Sequence, residues 1–201
     1  YPSIGSLVSH CREPLSDGIP SYVLIGFPSV ARGPGFLGPK AGYVYFTDTE
    51  SGPSRFTRPK DINAGRQQRR ESLLAKLRSD YFDQTQRASL IQDYDEAIDE
   101  SMRLAGPEFQ DVFRLDNEAD SLREKYGGEF GQRCLLSRRL IQSGARFVEV
   151  SHNLNFVNGS GWDTHRHGQL KQHLLIQEMD QALYDLLGSD YDGIASSVEE
   201  L

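Results

Sequence analysis

Between Gln132 and Ser151 a helical apolar pattern, a glycine and a β-branched run succeed one another without an intervening loop. Cys134, Leu135, Leu136, Leu140 and Ile141 recur at helical spacing and are expected to face inward. Gly144 stands where a helix C-cap needs a left-handed residue, and Ala145–Ser151 then reads as a strand. A helix delivered straight into a strand is half of an α/β unit, which favours a mostly parallel sheet covered by helices.

The residues after this strand carry chemistry. The run ends at His152, and a loop rich in Gly and Asn leads to Gly161-Trp162-Asp163-Thr164-His165 and then His167. Imidazole and carboxylate together suit Zn²⁺, Mn²⁺ or Fe²⁺, so Asp163, His165 and His167, with His152 as a further ligand, an acid or base, or a supporting donor, form a candidate divalent-metal site. Trp162 would wall that site or pack against the loop. Asn153, Asn155 and Asn158 are expected to be turn residues. His10 is isolated and His173 lies in a helical pattern, so both are weaker candidates. No His-Glu-x-x-His helix is present, which argues against a zinc hydrolase of that kind.

The rest of the chain supplies fewer strands than such a sheet needs. Ser21–Phe27 and Gly42–Phe46 have strand character, while Gly33–Pro39 is a loop without the spacing of a phosphate cradle. From Arg66 to Ala105 the period becomes helical, with a break near Asp83–Thr85, so a helical hairpin over 66–105 is expected to cover a sheet face. Its acidic stretch, Asp93 to Glu100, reads as a solvated face. A short helix is expected to end at Tyr126, another helix runs from Gly168 to Leu187, and the polar tail from Gly188 brings no further strand. With two or three strands in 201 residues, the chain reads as one domain, 1–201, that is partial.

Composition limits partners. A net charge of −7 disfavours a nucleic-acid backbone, and Arg66, Arg69 and Arg70 are the only dense basic cluster. No stretch has the length and apolarity of a membrane span. Cys11 and Cys134 are far apart and do not form a disulfide framework; Cys134 reads as a buried thiol, and its pairing with Cys11 is open but not expected.

The run from Tyr126 to Val150, with Gly161–His165 after it, resembles the bacterial family catalogued as domain of unknown function 1501, grouped with the alkaline phosphatase and sulfatase superfamily. Pro2–Ser6, Pro34–Leu37 and Arg66–Leu74 are similar to it as well. The resemblance implies an alkaline-phosphatase-like three-layer α/β/α sandwich, incomplete here, with a metal site at the carboxyl ends of central strands. It implies a metal-dependent hydrolase of phosphate or sulfate esters, with an anionic ester substrate, a divalent cation (Zn, Mn, Ca or Mg) and an exported location. Asp163 and His165 are similar to the superfamily's Asp and His pair, although their spacing is tighter, and His167 is the other choice for the His. The nucleophile and remaining ligands of that superfamily are not recognisable, so these 201 residues are expected to be inactive alone. A secreted binding or scaffold module with a decayed site is the alternative.

Overall fold

The computed structural model describes residues 1–16, 18–47, 49, 62–84, 89–104, 107–152, 162 and 168–198. The fold is mixed α/β and mostly helical, with a small, open, parallel three-stranded sheet among the described residues. Its strands are β1 (Tyr22–Ile25), β2 (Val44–Phe46) and β3 (Phe147–Val150), in the order β2-β1-β3. Each of the three expected runs contains one of these strands, shorter than the run itself. Val23 lies opposite Val44 on one side and Val148 on the other.

The central strand is buried along its whole length, so it reads as a continuous apolar run rather than an alternating one. Its two faces nevertheless meet different layers. Val23 and Ile25 join Phe46, Phe109, Phe113, Leu135, Leu136 and Leu140 in the main core. Tyr22 and Leu24 point the other way, where Tyr22 packs edge-on against Tyr43 and Phe147.

The helices are α1 (Ile4–Cys11), α2 (Ala64–Gln84), α3 (Ser89–Arg103), α4 (Pro107–Val112), α5 (Asp120–Tyr126), α6 (Glu129–Ser143) and α7 (Gly168–Val198). Ser3 caps α1 by accepting a hydrogen bond from the Ser6 amide at 3.2 Å. α4 begins on a proline, whose missing N–H costs nothing at the first helical position. α6 starts a turn earlier than the apolar pattern suggests and ends on Gly144 at φ 116°, the expected left-handed cap. Cys134, Leu135, Leu136 and Leu140 are buried as expected, but Ile141 is 48% exposed. It lies just past the edge of the stripe that Leu140 ends.

Two expected segments differ in extent or burial. The polar tail continues α7 as far as Val198; once a helix is propagating, each added residue gains a hydrogen bond without needing an apolar face. The 66–105 segment does form two helices, α2 and α3, joined where Arg78 reaches Asp95 and Asp99. Yet no described side chain of α2 is fully buried. The core-facing residue at that end is Leu104, just after α3.

Candidate functional site

In a parallel sheet every strand ends at the same edge, and here β1 departs from β2 on one side and β3 on the other. The crevice beyond the β1 and β3 ends is therefore the place where α/β sheets bind ligands. The Ser151 amide donates to the Ile25 carbonyl at 2.8 Å and the Gly26 amide donates to the Phe46 carbonyl at 2.8 Å, so pairing runs one residue past each strand. Ser151 Oγ sits 2.1 Å from where a Cβ on Gly26 would stand. Only glycine lets the two chain ends approach this closely.

His152 comes next and, by strand alternation, turns to the core side. Its ring lies 4.4 Å from that of Phe130 and 5.3 Å, edge-on, from that of Trp162. Nε2 is 3.7 Å from Glu178 Oε2 on α7. Both ring nitrogens are buried, and neither has a well-aligned hydrogen-bond partner among the described residues. Burial is the main force lowering the pKa of this imidazole below its ordinary value; the Glu178 carboxylate offsets part of that, Arg133 adds to it, and the Leu175 backbone opposes it. The site thus favours a neutral ring, the form that accepts a proton or binds a cation.

Arg133 holds this edge in place. It is 2% exposed, and Nη1 donates to the carbonyls of Ser151 at 3.1 Å and His152 at 2.9 Å. Nη2 pairs with Glu129 at 2.5 Å, one turn earlier on α6. A buried guanidinium bridging the first turn of α6 and the end of β3 fixes the direction in which the chain leaves the sheet.

On the opposite face Glu149 accepts from Arg32 Nε at 2.5 Å and from Tyr22 Oη at 3.0 Å. Burial first, and then the hydrogen bond to Glu149, push the Tyr22 hydroxyl up to about 12. These contacts tie the short turn Val30–Arg32 to β3. They brace the site from behind and do not enter it.

Of the residues singled out in the sequence, His152 stands at the carboxyl edge, and Trp162 packs on it while remaining 42% exposed. Asp163, His165 and His167 lie outside the described residues, as do Asn153, Asn155 and Asn158. Among the described residues no group of three or more His, Cys, Asp or Glu is arranged to hold a metal ion. His10 is remote, lining a groove with Glu13, Lys40 and Glu100 at the amino end of the sheet, and His173 is exposed on α7. Cys11 is exposed and Cys134 buried, both as free thiols, with burial raising that of Cys134 to about 11.

Sequence reasoning missed Gly26, Arg133, Glu129 and Glu178. Arg133 did carry a signal, a charge beside Cys134 and three residues after Phe130 on the stripe that α6 buries. Nothing local marks Glu178, which reaches His152 only because α7 packs back across α6.

A family described as "Protein of unknown function (DUF1501)" has a model that matches residues 1–189. No curated protein and no solved structure matches the chain. No helix among the described residues is long and apolar enough to cross a membrane.

Proposed function

The chain belongs to the DUF1501 family, and from that premise we propose that its β1/β3 carboxyl edge is part of a divalent-metal site of an exported phosphate- or sulfate-ester hydrolase with an alkaline-phosphatase-like fold. The observation that carries the proposal is His152, a buried imidazole with no well-aligned hydrogen bond on either nitrogen among the described residues, placed where the segment bearing Asp163, His165 and His167 leaves the sheet. Beyond the Glu178 carboxylate at 3.7 Å and the Leu175 backbone, a buried imidazole of this kind is suited to a further partner. A cation of the Zn or Mn type fits the imidazole and carboxylate chemistry of this set. Asp163 with His165 or His167 would hold it, with His152 as a ligand or as a donor behind the ligands.

A bound divalent cation would polarise the ester oxygen and offset charge developing in the transition state. The chain's own residues prepare that place. Burial lowers the pKa of His152 and so favours its neutral form, whose nitrogen lone pair can bind a cation. Arg133 fixes the two carbonyls from which the loop starts, and Gly26 clears space at the neighbouring strand end. Trp162 covers one side of the imidazole and limits water there.

A specific observation favours the second reading, a binding or scaffold module. His152 is enclosed by Phe130 and Trp162 much as an aromatic core residue would be. Metal analysis of protein produced with added zinc and manganese separates the two. About one bound ion per chain, lost in both Asp163→Ala and His165→Ala, supports the metal site. A metal-free protein under those conditions supports the scaffold, in which Asp163 and His165 would order a loop through hydrogen bonds. Ester turnover by these 201 residues is not expected, because no nucleophile of the superfamily is recognisable in them.

A further inference from the structure

The polarity of α2 is reversed with respect to the body of the protein. Its half-buried positions are Gln67, Glu71, Leu74 and Arg78, of which three are polar. Those polar groups satisfy one another and the neighbouring helix: Gln67 Nε2 donates to Glu71 Oε1 at 2.7 Å, and Arg78 pairs with Asp95 and Asp99. The larger apolar side chains point outward, with Leu73 at 59%, Leu77 at 58% and Tyr81 at 55% exposed. A helix in a globular domain normally turns its apolar stripe to the core and its charges to water. Here the stripe faces solvent.

The outward stripe has a definite order. Arg70, Leu73, Leu77 and Asp80 are placed at spacings of three, four and three, the seam spacing of a helix that packs along another helix. Two leucines occupy its centre, a cation one end and an anion the other, and all four residues are exposed. Such a stripe is complementary to itself when two copies lie antiparallel. Leu73 then meets Leu77 of the second copy, and Arg70 meets its Asp80; both pairings share a midpoint at Ala75, so one register satisfies them together. In the parallel alignment each charge meets its own like.

We propose that two copies of this chain associate through α2, antiparallel about a two-fold axis near Ala75, with the leucines as the apolar centre and Arg70–Asp80 pairs setting the register. Charge selects this occupant over an anionic lipid surface. Asp80 lies in the stripe itself, and the chain as a whole carries −7, whereas a surface-lying helix needs flanks that are uniformly basic.

Sedimentation equilibrium of the 201-residue chain, across about 1 to 100 µM, tests this. A reversible dimer of the 22.6 kDa chain is expected. Leu77→Glu should weaken it at least tenfold, and so should Arg70→Asp. The double variant Arg70→Asp with Asp80→Arg should restore the wild-type association, because it exchanges the two ends of the same seam. Unchanged far-UV circular dichroism in each variant checks that the fold is intact, which is expected at exposed positions. A monomer over the whole range overturns the proposal. So does a dimer indifferent to Leu77→Glu, a failure of the charge exchange to restore association, or a monomer that sediments with phosphatidylserine vesicles through Arg70.

Discussion

α6 and α2 are both long helices, and they use their apolar residues in opposite ways. α6 buries Phe130, Cys134, Leu135, Leu136 and Leu140 against the sheet and its neighbouring helices. α2 turns Leu73 and Leu77 outward and holds its neighbour through Arg78. Each fully buried leucine contributes roughly 2 kcal/mol, while an exposed ion pair contributes about 1 kcal/mol at most. α6 is therefore part of what makes the domain fold, and α2 is attached to a domain that other elements stabilise. The chemistry obeys the same division, since His152, Arg133 and Glu178 all depend on the position of α6 and α7.

The largest effect that tests this contrast is a pair of truncations. Leu136→Ala, at a site with no exposure, should lower unfolding free energy by about 3 kcal/mol. Leu77→Ala should change the stability of the single chain by less than about 0.5 kcal/mol. Denaturant melts at low protein concentration measure both, and comparable losses would show that α2 belongs to the same packed body.

A smaller effect concerns the imidazole held between α6 and α7. Its folded-state pKa lies below the ordinary value of 6.5, so the unfolded chain binds its proton first as pH falls. The stabilisation from keeping His152 neutral is present above about pH 6.5 and declines as pH drops toward the folded pKa. His152→Phe retains an aromatic ring between Phe130 and Trp162 without that proton. Thermal melts between about pH 7.5 and 5 should show a shallower acid-side loss for the variant than for the wild type. Parallel curves would mean that another group governs the acid limb.

The smallest effect belongs to the attachment of α2. Arg78→Ala removes the contacts to Asp95 and Asp99, of which Asp99 is largely exposed, and should cost about 0.5 to 1 kcal/mol. The loss should shrink in about 0.5 M salt, where exposed charges are screened. A salt-insensitive loss would assign the stabilisation to packing of the arginine stem instead.

Local pattern alone made the helix, Gly144 and strand succession legible, because a 3.6-residue period, a left-handed cap and a β-branched run each act over a few residues. α1 and α4 went unread, since a helix of six or eight residues has too few turns to show a period. Ile141 looked inward by spacing and stands outside because the buried face of α6 is narrower than its apolar content. For the candidate site, His152 and Trp162 were legible as residue types near a strand end. Glu178 was not, because its approach to His152 is made by a helix that begins sixteen residues later.

By itself, the sequence determined that the chain has a parallel α/β nucleus with a glycine-capped helix before β3 and that His152 stands at the end of that strand. Both arise from short-range sterics and hydrogen bonding, which the chain carries wherever it goes. Only the tertiary structure decided which apolar stripe is buried. The leucines of α6 and those of α2 have similar spacing, and what separates them is the presence or absence of a neighbouring surface. It also decided that Arg133 ties the first turn of α6 to the end of β3, since a guanidinium acquires that role only when the carbonyls of Ser151 and His152 are brought to it.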